Sequence, residues 1–310
     1  MLKKITDKEY FGIDAMSNSR LGEFKYSRKK YHAKYIAKTL PIEADRSAFR
    51  LGKMLHCYLL ENDVFFERYH EFAGVMPREG YQRRLADILA DAFTMLDYNN
   101  VNIMCLDAFN KQDLDHLATK AGYKSGSGNR CVEVMTNSSL INYINAKMEA
   151  GEFKELIASD ELQNIARMAE SIQSVVSINP LFCLLEHAAE YELCGLPFKS
   201  KYDIIAQFEK TIYDIKTTNS VDAESIYESI NNYGYARQAA VYLDSLKQLG
   251  YNVDTFVFIF VEKKFPHAVK TVRLSSDTIA KGRAEYELLI AEYKDCVEKD
   301  LWEHAEILEF

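Results

Sequence analysis

No stretch of this chain is long and apolar enough to cross a bilayer, no two cysteines stand as Cys-x-x-Cys, and no segment repeats. Each absence removes a class of protein. A spanning helix needs about 20 consecutive apolar residues. The opening Met1-Leu2-Lys3-Lys4-Ile5-Thr6-Asp7-Lys8 also lacks the apolar core of a secretory leader, so no membrane role is expected and the compartment is read as cytoplasmic. The six cysteines, Cys57, Cys105, Cys131, Cys183, Cys194 and Cys296, are scattered, which argues against a zinc site and against a disulfide framework. Gly126-x-Gly128 lacks the strand-loop-helix setting and the Lys-Ser/Thr ending of a phosphate cradle, and it reads as a flexible loop. Nothing resembles a recognition helix for the major groove. An excess of positive charge is missing too: the net charge is -8, which is the wrong sign for holding a polyanion through the overall field.

What is present suits a globular enzyme. The 310 residues are 48% hydrophobic and 27% charged, enough to bury a substantial core. The charge is unevenly spread. Between Arg20 and Lys38 stand seven bases (Arg20, Lys25, Arg28, Lys29, Lys30, Lys34, Lys38) and one acid, Glu23, whereas Asp277 to Glu309 holds ten acids and four bases. A basic helix near a reactive site, led by Arg20, Lys25, Arg28 and Lys29, would steer a polyanion inward while an acidic helix on the far side keeps the protein soluble. A charge run is equally well a solvated face.

The chemistry concentrates in two short stretches. Lys199 to Ile205 and Thr211 to Thr218 read as strands joined by the linker Ala206 to Lys210, so they can pair as a hairpin. Period two sends Asp214 and Lys216 to one face, and the hairpin can bring Asp203 beside them. Two carboxylates and an ammonium are the parts needed to hold a divalent cation against a phosphodiester. Asp-x-Lys alone is no more than a solvated ion pair. The order of the surrounding elements adds weight: an apolar strand with Asp, a turn, a second apolar strand with Asp-x-Lys, then a helix.

Elsewhere the periodicity predicts a helix after the cap Asn18-Ser19, with Leu21, Phe24, Tyr31, Tyr35 and Ile36 as its apolar stripe. A second helix is expected from about Arg46 to Leu60, with Phe49, Gly52, Lys53 and His56 on one face. Residues 77–139, with a helical pattern of their own, read as an insertion or lid inside a single domain spanning 1–310. The first strand is placed at Ala189 to Leu193; Glu190 and Glu192 share one of its faces and are left outside the site, as edge carboxylates usually are solvated. Helices are expected at Asp222 to Asn232 and Tyr235 to Leu249, an apolar strand at Phe256 to Val261, a strand at Val269 to Leu274, and a long closing helix. Tyr235, Gln238 and Tyr242 fall at i, i+3 and i+7, a spacing more often found in core than in a site. Gln238 stands out because an amide buried among tyrosines needs partners.

Asp203, ten intervening residues and Asp214-Ile215-Lys216 resemble the PD-(D/E)XK nuclease signature, with Tyr202 where a proline is usual. Asp214 to Thr218, Tyr233-Gly234-Tyr235 and Gln238-Ala239-Ala240-Val241-Tyr242 resemble the RecE (exonuclease VIII) branch of phage recombination systems. Ser17-Asn18-Ser19-Arg20-Leu21 resembles the entry segment of RecE- and RecB-type nucleases, and Gly52-Lys53-Met54-Leu55-His56 resembles their G-x-x-x-H helix. The resemblance implies a restriction-endonuclease-like α/β core, a mixed sheet flanked by helices, with a helical N-terminal part and a long C-terminal helix. It further implies that His56, Asp203, Asp214 and the Ile215 carbonyl bind one or two Mg2+ or Mn2+ ions, that Lys216 is catalytic, and that Gln238 and Tyr242 lie beside the metal. Some relatives carry an iron–sulfur cluster on one early and three late cysteines; only Cys296 is late here, so no cluster is expected. The resemblance implies a 5′ to 3′ exonuclease on duplex DNA ends, a homo-oligomeric ring, a companion single-strand annealing protein, and a bacterial or phage-infected cell. A non-catalytic DNA-end binding or assembly protein of the same fold, or a nuclease of the superfamily that cuts internally or cuts RNA, are the alternatives.

Overall fold

Alternating and wholly apolar runs in the second half of the chain build the central sheet of this computed structural model, which describes residues 1–41, 47–151 and 154–302 and, within the helix Ser47–Leu60, side chains from residue 50 onward. Among the described residues the strands are β1 (Lys3–Lys4), β2 (Tyr69–Phe72), β3 (Glu155–Ala158), β4 (Cys183–Leu193), β5 (Leu196–Ala206), β6 (Thr211–Thr218), β7 (Thr255–Glu262) and β8 (Val269–Arg273). Six of them form one sheet in the order β1-β4-β5-β6-β7-β8, while β2 and β3 pair separately. The sheet is mixed: β6 and β7 run parallel and the other neighbours antiparallel. A parallel pair requires a crossover. Helices Ala223–Asn232 and Tyr235–Gln248 supply it.

The chain divides into two compact units, Asn62–Ala166 and the remainder, Met1–Glu61 with everything from Arg167 onward. In the larger unit β7 is buried almost throughout, as expected of a strand covered on both faces. Phe256, Phe258 and Phe260 share a core with Ala239, Ala240 and Leu243 of helix Tyr235–Gln248. The closing helix Ser276–Lys299 packs on that helix so closely that a Cβ at Gly282 would meet the Ala236 carbonyl oxygen at 2.1 Å, so only glycine fits there. The smaller unit has its own core of Leu85, Leu89, Phe93, Tyr143 and Ile144, built from helices that include Tyr81–Met95 and Ser138–Ala150. The segment 77–139 lies within this larger inserted unit. Its glycine loop joins helices Lys111–Lys120 and Asn129–Met135, with no strand before it.

Three expectations need correction. The stripe from Leu21 to Ile36 is not one helix: Ser27 ends helix Asn18–Tyr26 and its side chain caps the next, Arg28–Tyr31, by accepting the Lys30 N–H, after which a π-turn covers His32–Ile36. The strand expected first, at Ala189 to Leu193, is β4, the fourth among the described residues, and it is longer, beginning at Cys183. Apolar Leu184 and Leu185 extend it back into the core, and this brings Glu186 inside. Finally, the helix Asn18–Tyr26 is capped not by Asn18-Ser19 but by Ser17, whose hydroxyl accepts the Arg20 N–H at 3.3 Å. Arg46, the Phe49 side chain and the acids Glu303, Glu306 and Glu309 lie outside the described residues.

Candidate metal centre

The site lies within the larger unit, where the β5–β6 ladder ends. Its last pair is Ile204↔Tyr213, one position short of Asp203 and Asp214. Asp203 instead turns its carboxylate to the next strand and accepts the Ile215 N–H at 2.7 Å. On β4, the pairs Leu185↔Ile204 and His187↔Tyr202 flank Glu186, which sits across from Asp203 without joining the ladder. Its φ of 54° explains why: a left-handed residue interrupts the pleat and redirects its side chain. His56 reaches in from helix Ser47–Leu60. Its Nε2–H donates to the Ile215 carbonyl at 3.1 Å, and Nδ1 faces Asp203 Oδ1 at 3.5 Å and Glu186 Oε1 at 3.6 Å. One ligand atom from each of His56, Glu186 and Asp203 lies within 4.8 Å of the others.

Beside this trio stand Asp214 and Lys216, on one face of β6 as the alternation predicts, 2.5 Å apart. Gln238 donates from Nε2 to Asp214 Oδ2 at 2.5 Å, the partner a buried amide needs. The Lys216 ammonium lies 5.0 Å from the centre of the Tyr235 ring and 5.7 Å from that of Phe258. Tyr242 is one step removed: its hydroxyl donates to the Lys201 carbonyl at 2.9 Å and its ring packs on Tyr202. Thus His56, Asp203, Asp214, Ile215, Lys216 and Gln238 converge, while Tyr242 touches the backbone of β5.

The electrostatics are those of a crowded anionic site. Three carboxylates (Glu186, Asp203, Asp214) meet two ammonium groups (Lys201 on Glu186, Lys216 on Asp214), so the balance closes only with a third cation at His56, either a proton on the imidazole or a metal ion in its place. Glu186 Oε1 is buried without a hydrogen-bond partner, whereas Asp214 Oδ1 is met by the Lys216 ammonium at 2.5 Å. Burying an oxygen like that of Glu186 is unfavourable unless a cation completes it. Burial disfavours a charged His56, but Asp203 and Glu186 outweigh it and push its pKa well above the usual imidazole range. Burial would raise Asp203, yet His56 and Lys216 bring it below the ordinary carboxylate value. Burial lifts Asp214 to about 6 against the pull of Lys216. Burial opposes the Lys216 charge, and Asp214 reverses that and raises its pKa. Carboxylate oxygens with one imidazole nitrogen are a donor set suited to a hard divalent cation such as Mg2+ or Mn2+. The residues fit the ion.

Glu186 was missed in the sequence. Running the alternation of Glu190 and Glu192 back four positions reaches it, but it lies beyond the start expected for the strand. Glu190 and Glu192 themselves are exposed, Glu190 paired with Lys3 at 3.0 Å.

The basic segment does something other than expected. Lys25 pairs with Glu285 at 2.9 Å and Arg28 with Glu292 at 2.7 Å, both acids of the closing helix; Arg20 pairs with Asp14 at 3.1 Å and lies over the Tyr35 ring. The acidic helix is therefore beside the basic one, not on the far side. The reason is packing: Phe24 meets Tyr293 edge to face, and this brings the two charged flanks together. Lys29 is exposed.

Residues 17–306 match a family model described as a PDDEXK-like domain of unknown function (DUF3799). Among solved structures, the crystal structure of a presumed exonuclease from Eubacterium rectale is similar, with a TM-score of 0.52 and 12% identity over 96% of this chain and 88% of that one. At that identity the likeness is one of fold, and it makes the core restriction-endonuclease-like. No curated protein matches the sequence.

Proposed function

We propose, from the premise that the chain belongs to the PDDEXK-like family DUF3799, that it is a metal-dependent nuclease degrading duplex DNA from its ends. The observation that carries the reading is the convergence of His56, Glu186 and Asp203 within 4.8 Å, next to the Asp214–Lys216 pair. A divalent cation, Mg2+ or Mn2+, supplies Lewis-acid polarisation of a phosphoryl oxygen and a lowered pKa for water when bound there. Asp203, Glu186 and Nδ1 of His56 would hold it, with Asp214 beside them as a further carboxylate ligand. The Ile215 carbonyl, although it accepts from His56, keeps a second lone pair for the same purpose.

The other residues have separable tasks. Lys216, held by Asp214 and backed by Tyr235 and Phe258, presents a fixed ammonium that offsets charge building on phosphate oxygens and orients the attacking water. Gln238 fixes the rotamer of Asp214. Tyr242 holds the β5 backbone two residues before Asp203 and so acts by positioning. Resemblance to the RecE-like branch supports 5′ to 3′ degradation in phage-type recombination, by a ring-shaped oligomer that hands its product to an annealing protein. The name of the Eubacterium rectale relative agrees with action at ends.

Incubating the purified protein with Mg2+ and matched linear duplex, closed circular, single-stranded and RNA substrates tests this. Linear duplex should be degraded and the circle spared, with EDTA stopping the reaction. Cutting of the circle would make it an endonuclease; binding of ends without any metal-dependent cleavage would make it an end-binding protein.

A further inference from the structure

We propose that the N-terminal segment Lys3–Ile13 is a working part of the metal centre, with Asp7 and Lys201 as positioning residues that aim Glu186 at the ion. The inference rests on the metal-centre reading above. Glu186 is a non-glycine residue held at φ 54°, a conformation that side chains rarely adopt, so it needs external support. Its two oxygens have different surroundings. Oε2 takes the Lys201 ammonium at 2.7 Å, and Oε1 stays unpartnered 3.6 Å from His56 Nδ1. Lys201 has a second anion, Asp7, at 2.9 Å, and burial of this ammonium is more than offset by the two carboxylates, which raise its pKa.

Asp7 is itself anchored. It opens helix Asp7–Gly12, whose start is fixed by a reciprocal Thr6–Glu9 capping box. The other end is gripped by Lys199, whose ammonium donates to the carbonyls of Tyr10 at 2.8 Å and Ile13 at 2.7 Å. Lys199, Lys201 and Asp203 alternate along one face of β5, so two lysines bind the segment and the third residue faces the ion. The segment also pairs directly beside Glu186 through Lys3↔Ala188 and Lys4↔His187. Residues 3–13 precede the region that the family model covers, so this support is additional to the matched nuclease core.

The physical role is a division of contacts. Lys201 takes Oε2 of Glu186 while Asp7 holds the same ammonium back from the other side, which keeps Oε1 turned to the ion. Without Asp7 the ammonium turns wholly to Glu186 and competes with the cation.

The test is titration of the full chain with Mn2+ alone, followed by calorimetry and by the electron-spin signal of free Mn2+, so that no turnover is needed. Asp203→Asn, expected to lose binding, reads the metal centre itself. Asp7→Ala should weaken Mn2+ binding by about 10- to 100-fold, as loss of supporting partners of metal ligands does. Asp7→Glu should restore most of it. In a Lys201→Met background Asp7→Ala should change nothing further, because the effect passes through the ammonium. Glu190→Gln, which removes the Lys3–Glu190 pair of the same segment, should leave Mn2+ binding unchanged. Circular dichroism checks folding, and Asp7→Asn replaces Asp7→Ala if the latter does not fold. Wild-type affinity in Asp7→Ala or Asp7→Asn, or an equal loss with and without Lys201, overturns the relay while the metal centre stands. If wild type and Asp203→Asn bind Mn2+ alike or not at all, the centre falls and the relay with it.

Discussion

Two charge clusters in the larger unit look alike in the sequence and differ in the fold. Along the seam between helices Asn18–Tyr26 and Ser276–Lys299, and around it, three bases share two acids, Lys25 and Arg237 on Glu285 and Arg28 on Glu292, and the surplus charge is that of Lys25, which is exposed to water. Around His56 the account closes only with a further cation, a proton on the imidazole or a metal ion, since three carboxylates face two ammonium groups and Glu186 Oε1 is buried without a hydrogen bond. A satisfied cluster is architecture. An unsatisfied one stores the free energy with which a ligand will be held, and its burial makes that free energy larger than it would be in water. The density of charge in the sequence ranks the seam first; the balance of charge in the fold reverses the order.

The variants that sharpen this contrast most act on the open cluster. Asp203→Asn keeps an acceptor for the Ile215 N–H but removes one of the three negative charges, so cleavage should fall by on the order of 10³-fold or more, measured on linear duplex with Mg2+. The thermal midpoint without metal should fall, because His56 and Lys216 hold the Asp203 carboxylate below its usual range and its charge therefore stabilises the fold; an unchanged midpoint would mean that the surroundings do not favour the charge. Lys216→Ala should lower kcat by roughly 10²- to 10³-fold with a small change in substrate affinity, since its ammonium acts on charge that develops during reaction. Adding Mn2+ at about 100 times its Kd should stabilise the wild-type fold by ~2.7 kcal/mol and leave Asp203→Asn unmoved, as followed by thermal melting with and without EDTA. Gln238→Ala, which frees the Asp214 rotamer, should reduce cleavage by about 10- to 100-fold.

Local physics explains how much of this could be read in advance. Asp214 and Lys216 fall on one face because β6 is a regular strand, and the apolar Phe256 to Val261 run is buried because β7 lies inside the sheet; both follow from period two. His56 was legible through the Gly52 to His56 pattern, although its neighbours alone suggest core. Glu186 was not, since its left-handed backbone leaves the alternation that would have assigned it a face. The Asp7–Lys201 bond joins residues 194 positions apart, and no periodicity within one element reports such a pair. The seam was misjudged for the same reason: helical spacing predicts which charges share a face, but not that Phe24 against Tyr293 sets that face on the acidic helix.

The smallest expected effect lies at the seam, and it is the one that could break the contrast. Arg28→Ala removes the 2.7 Å bond to Glu292 and the cation–π contact over Phe24, where the two charged side chains are 22% and 35% exposed. Partly solvated pairs of this kind contribute about 0 to 1 kcal/mol, so urea unfolding should shift by no more than that, and cleavage of linear duplex should not change. Raising the ionic strength should shrink even this difference, because salt screens the pair. If Arg28→Ala instead weakened DNA binding severalfold and flattened its dependence on salt, the guanidinium would be exchanging Glu292 for phosphate in the complex. The seam would then be a latent binding surface, closed by its own acids until DNA displaces them.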